Sequence, residues 1–127
     1  MTWSYSQSTG KLTDPTGAVV ATGYSGGNCG RVPSAVNNPA MQGIKSCGPL
    51  PRGVYTLGTP VENSSLGPLA IPLLPDKGDQ MFGRGGFYAH GDTPEMNRSA
   101  SEGCIILPHA IRVLLAASTD KRLEVTL

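Results

Sequence analysis

The sequence predicts a mainly β domain with one packed helix, and three observations lead there. Gly and Pro together supply 28 residues, from 17 Gly and 11 Pro in a chain of 127, roughly 22% where about 12% is usual. Turns are therefore frequent and long helices have little room. Short apolar runs alternate with polar residues at period two, the pattern of half-buried strands, and a single segment near the C-terminus carries apolar residues at helical spacing. A chain of this length holds one core, so residues 1–127 are expected to form one domain.

Trp3 and Tyr5 alternate with Ser4 and Ser6 as a first strand, and Ser8-Thr9-Gly10 supplies a turn. Lys11 to Thr13 makes a second strand. Asp14-Pro15-Thr16-Gly17 turns the chain again, because Pro15 fixes φ and Gly17 accepts positive φ; Ala18 to Thr22 completes a small antiparallel meander. From Tyr24 to Pro51 no period of 2 or 3.6 is sustained, so this Gly-, Asn-, Ser- and Pro-rich stretch is expected to be a long structured loop. Gly53 to Leu57, Leu69 to Leu74 and Gly86 to His90 resume strand character, with Pro72 assigning the middle one to an edge or a bulge. Pro108 suits the first position of a helix that runs to Ala117, with Ile111, Leu114, Leu115 and Ser118 on one face. Leu123 to Leu127 alternates and closes the domain as a strand.

The apolar share of 39% suffices for a small core, which argues against disorder. Ten Lys plus Arg against nine Asp plus Glu give a net charge of +1. With no basic run, nucleic acid is not an expected partner. No apolar stretch is long enough to span a membrane, and the first residues lack the basic and apolar regions of a Sec signal. The expectation is synthesis in the cytoplasm and export by a route without a cleaved signal.

Cys29 and Cys47 lie in the loop-like stretch. A bond between them would close a loop worth about 3 kcal/mol; the alternative is two free thiols. Cys104 is then left over. It lies in Ser101-Glu102-Gly103-Cys104, fourteen positions after His90, which ends the apolar run Gly86 to His90 and is followed by Gly91. A cysteine thiol is only slightly ionised at neutral pH, and a nearby imidazole raises its reactivity. Gly103, without a Cβ, would let a substrate carbonyl reach backbone N–H groups that could form an oxyanion hole, and Ser101 could fix the imidazole tautomer. Asp92 gives a His-x-Asp pattern with His90, but metal sites need three or four ligands and no partner cluster is apparent. His109, after Pro108, reads as a surface or capping residue. Tyr24, Tyr88, Arg31, Arg98 and Ser99 are candidate substrate contacts, the arginines suiting a carboxylate; their ordinary alternative is as solvated surface charges.

His90-Gly91, the spacer, and Ser101-Glu102-Gly103-Cys104 resemble the signature of bacterial cell-wall L,D-transpeptidases. Gly48-Pro49-Leu50-Pro51-Arg52-Gly53-Val54-Tyr55 is similar to the segment leading into a core strand of that fold. With Tyr24-Ser25-Gly26 and Asn37-Asn38-Pro39, the whole looks most like the compact type VI secretion L,D-transpeptidase effectors, over roughly residues 17 to 115. The resemblance implies a compact β-sandwich or barrel that needs no cofactor. It also implies delivery into the periplasm of a target bacterium, action as an antibacterial toxin on peptidoglycan stem tetrapeptides, a cognate immunity protein, and a secretion-machinery component or adaptor as carrier. By the same resemblance Cys104 would be the nucleophile, His90 its base, and Gly91 and Asp92 would join Tyr24, Tyr88, Arg98 and Ser99 around the substrate. The position before Gly103-Cys104, often a second His in the wider family, is Glu102, and the polar residue common two places after the Cys is Ile106. Both departures weaken an assumption of ordinary cross-linking activity, and the resemblance implies removal of the terminal D-alanine or its exchange for another D-amino acid, with a resident L,D-transpeptidase forming 3-3 cross-links as an alternative. A different class of function is a non-catalytic wall-binding or interaction module with the same fold. Papain-like or NlpC/P60-like amidases place Cys before His in the chain, the reverse of the order here.

Overall fold

The computed structural model describes residues 2–27, 31–45, 47–63, 67–91 and 103–127. The expected meander is present as β1 (Trp3–Ser6), β2 (Lys11–Thr13) and β3 (Val19–Thr22), paired antiparallel. Alternation along β1 sends Trp3 and Tyr5 into the core. The turn after β2 is built on Asp14, whose carboxylate accepts from the Thr16 hydroxyl and from the N–H groups of Thr16 and Ala18. These bonds, that of the Thr16 hydroxyl first, hold its pKa below the ordinary value.

β4 (Tyr24–Ser25) and β5 (Gly53–Leu57) flank the long loop, and β6 (Val61–Asn63), β7 (Gly67–Pro75), β8 (Tyr88–His90), β9 (Ile105–Ile106) and β10 (Arg122–Thr126) follow. The strands are ordered β3-β2-β1-β10-β5-β7-β8-β9-β4, with β6 also on β7. β1 with β10 and β8 with β9 are parallel, and the other pairs are antiparallel. The two outer strands of this order, β3 and β4, are consecutive in the chain and separated by Gly23 alone. Both edges of the sheet are thus one length of backbone, and the sheet curls into a nearly closed barrel. Gly23 allows that crossing: its N–H donates to Gly10 O at 2.7 Å, and a Cβ would stand 2.1 Å from Ile106 O.

Tyr5, Leu12, Tyr55, Ile71, Leu73 and Leu123 anchor the core. Helix α1 (His109–Ala117) packs on β7 and β8, and the Trp3 indole N–H donates to Ser118 Oγ just past its end.

Three expectations need correction. β7 is not an edge strand, since it pairs with β5, β6 and β8. Pro72 is tolerated because it falls between the partners along one side: β6 pairs as far as Ala70 and β5 begins at Leu73. No ladder N–H is needed there, and Pro72 O accepts from Gly58 N at 2.8 Å. On α1, Leu114 is exposed and Arg112 is buried with Leu115. The guanidinium donates to the carbonyls of Leu107 and Leu69, so a polar anchor takes a place assigned to an apolar one. Finally, the stretch from Tyr24 to Pro51 is not loop throughout, since it contains β4 and two 3-10 turns, Pro33–Ala35 and Pro39–Met41.

The buried segment 48–51 lacks two backbone donors because of its prolines, and it leaves four carbonyls to be satisfied. Side chains from three places meet them. Arg84 donates to Gly48 O and Pro49 O, Gln7 Nε2 to Leu50 O, and the Tyr55 hydroxyl to Pro51 O at 2.7 Å.

Candidate active site

β8 and β9 run parallel, with Ala89 opposite Ile105 and His90 opposite Ile106. Residues two apart on a strand share a face. Tyr88 and His90 therefore lie on one face of β8, and Cys104 immediately precedes β9. Continuing the register places Cys104 level with Tyr88 and two positions short of His90. That offset is about 8 Å between α-carbons, from roughly 4.8 Å across the strands and two residues of rise along them, a span that an imidazole and a thiol can close. The opposite face carries Ala89 and Ile105, both in the core. β4 extends the row on the other side, Tyr24 opposite Ile106 and Ser25 opposite Ile105.

His90 is 3% exposed, and its Nδ1 lies 2.9 Å from Gly91 O. A carbonyl oxygen can only accept, so Nδ1 is the donor in this bond. The strand is braced from the core side, where Arg112 Nη2 occupies the space a Gly91 Cβ would need, 2.9 Å from that position. Cys104 is half-buried, with Sγ 3.9 Å from Gly86 O.

The turn that presents Cys104 is held from below. Gly103 is buried at φ +140°, a conformation L side chains rarely adopt. Its carbonyl accepts from Ser25 Oγ at 3.3 Å, and the same Oγ accepts from Leu50 N at 2.8 Å. Ser25, fully buried, thus ties β4, the Cys104 turn and segment 48–51 together. Arg84 lies against the turn as well: a Cβ on Gly103 would meet its Nη2 at 2.3 Å. The guanidinium carbon sits 5.6 Å from the Phe87 ring centroid.

Of the residues marked from sequence, the structure gathers Tyr24, Tyr88, His90, Gly91, Gly103 and Cys104 on β4, β8, β9 and their ends. Tyr24 is buried and Tyr88 half-buried. Arg31 and His109 are exposed, His109 at the start of α1. Asp92, Arg98, Ser99, Ser101 and Glu102 lie outside the described residues, as does Cys29. Cys47 is a free thiol. Among the described residues no group of His, Cys, Asp or Glu could hold a metal ion, and no helix is long and apolar enough to cross a membrane. Sequence reasoning missed Ser25 and Arg84. Ser25 gave no signal beyond its place in Tyr24-Ser25-Gly26. Arg84 did, as a lone cation in the run Gly83-Arg84-Gly85-Gly86 just before the histidine strand.

The fold and site define a small barrel-like β protein that carries a histidine at the end of one strand and a cysteine just before its parallel neighbour, two positions apart in register. The chain belongs to the Tlde1 domain family, a family of type VI secretion effectors of the L,D-transpeptidase-like kind, whose family model matches residues 20–126. Comparison with curated proteins and with solved structures found no match.

Proposed function

We propose that the chain is a single catalytic domain acting on peptidoglycan stem tetrapeptides in the periplasm of a target bacterium, as a cysteine L,D-carboxypeptidase and D-amino-acid exchanger. The observation that supports this reading is that His90 ends β8 and Cys104 immediately precedes its parallel partner β9, in a chain of the Tlde1 family. His90 Nε2 takes the Cys104 proton, and the thiolate attacks the carbonyl at the L-centre of meso-diaminopimelate. Backbone N–H groups at the Gly103–Cys104 turn hold the oxyanion. The carbon–nitrogen bond to D-alanine breaks, His90 returns the proton to the leaving amine, and a thioester remains on Cys104. Water then releases a tripeptide, or the amine of a free D-amino acid takes the acyl group; in both cases the thiolate leaves. Trimmed or altered stems deprive the recipient of donors for wall synthesis. A cognate immunity protein and a secretion carrier complete the reading.

The test is mass spectrometry of muropeptides after incubation of tetrapeptide-rich peptidoglycan with the protein or with Cys104→Ala, with and without an added D-amino acid. Tripeptide, or a stem with a replaced terminal residue, is expected from the unmutated protein alone. An unchanged profile from both proteins would instead favour a wall-binding module.

A further inference from the structure

We propose that Arg84 is a positioning residue for the nucleophile: from the core side its guanidinium holds the Gly103–Cys104 turn against segment 48–51, and its charge favours the Cys104 thiolate. The inference rests on the reading of Cys104 as the nucleophile and adds to it a cation from outside the His–Cys motif.

Arg84 is 8% exposed. Its guanidinium donates to the carbonyls of Gln42, Pro49 and Gly48, lies over the Phe87 ring at cation–π distance, and fills the space where Gly103 lacks a side chain. Three carbonyl acceptors and an aromatic face fix its position far more tightly than a surface arginine's. A group so held is already in place when charge develops on the sulfur next to Gly103, and no reorganisation is needed.

Burial pushes the guanidinium pKa down, while the charges of Tyr55, Cys104 and Cys47, in that order, act to raise it. The coupling is reciprocal, so a cation that feels the Cys104 charge favours that charge in turn. Among the described residues, the other ionisable groups around Cys104 include His90 and Tyr88 from β8, Tyr24 from β4 and Cys47 from the loop before segment 48–51. Tyr55 lies behind Arg84, with Asp79 acting on Tyr55. His90 and Arg84 thus have separable roles, one moving the proton and the other stabilising what is left.

The experiment is the pH dependence of iodoacetamide alkylation, read at Cys104 by peptide mass spectrometry, where cleavage at lysine and arginine puts Cys47 and Cys104 in different peptides. Arg84→Gln is expected to raise the Cys104 midpoint by about one pH unit or more, and Arg84→Lys, which keeps the charge, by less than half as much. A folded Arg84→Gln with an unmoved midpoint, or equal shifts in both variants, would overturn the proposal. His90→Ala tests the same point with Arg84 intact: its Cys104 midpoint should stay below the value of about 8.5 for free cysteine, and a return to that value would assign the effect to His90 instead. Alkylation reads the thiol without turnover. A shifted midpoint alongside an unchanged muropeptide profile would therefore fault the substrate and not the role of Arg84.

Discussion

Replacing Gly103 with alanine tests how the turn below the nucleophile is built. Two costs arise in the structure. A non-glycine residue at φ +140° is strained by about 1–3 kcal/mol. The new Cβ would also stand 2.3 Å from Arg84 Nη2, and moving a guanidinium tied to buried carbonyls adds about 1–3 kcal/mol of overpacking. Gly17 separates the two, because it sits at φ +96° with nothing within 4 Å of its Cβ position. Gly17→Ala should show the backbone cost alone, about 1 kcal/mol or somewhat more. Gly103→Ala should lose roughly 2–6 kcal/mol, and at about 3–6 °C per kcal/mol for a domain of this size its Tm should fall by at least about 6 °C. Urea denaturation at constant m-value and tetrapeptide turnover on the same samples would measure both consequences. If Gly103→Ala were no less stable than Gly17→Ala and kept full turnover, the packing of Arg84 under the turn could not be as described.

Ser25→Ala should cost about 1–3 kcal/mol, because it leaves the buried Leu50 N–H without its acceptor, and turnover should fall with it as the Gly103 carbonyl loses its donor; denaturation and activity assays check this. Tyr55 carries a phenol whose pKa burial raises above the ordinary value of 10. The folded chain therefore keeps that proton while the unfolded chain loses it above pH 10. Stability present below about pH 10 should decline as pH rises beyond it, by up to about 1.4 kcal/mol per unit, and denaturation at pH 9 to 11 should show this contribution absent in Tyr55→Phe. Activity should fall on acidification as His90 takes up a proton and stops serving as a base; a rate that stays flat from pH 5 to 8 would count against His90 in that role.

Much of the barrel could be read from the chain because its strands obey local rules. The alternation of Trp3 and Tyr5, and of Leu123 and Val125, needs only one buried face, and Asp14-Pro15-Thr16-Gly17 is turn chemistry in four residues. What stayed hidden depends on distant partners. Ile105–Ile106 is too short to show a period, and it becomes a strand because β8 and β4 both pair with it. Pro72 reads as an edge signal until two different strands, β6 and β5, prove to share that side of β7. Leu114 and Arg112 exchange their expected places because the Leu107 and Leu69 carbonyls need a donor where α1 meets the sheet. In the site, His90 and Cys104 were legible as residue types with a characteristic spacing. Ser25 and Arg84 were not, since a buried hydroxyl and a buried guanidinium reveal their roles only when their acceptors, Gly103 O, Gly48 O and Pro49 O, are seen.

The most direct measurement is intact-protein mass spectrometry of the chain quenched in acid during turnover of a purified tetrapeptide substrate, with the site of modification located by peptide mapping. The account expects an adduct on Cys104 equal to the stem less its terminal D-alanine, absent from Cys104→Ala and discharged when water or a D-amino acid is allowed to react. Tripeptide formation by Cys104→Ala, or an acyl group carried on any other residue, would contradict it.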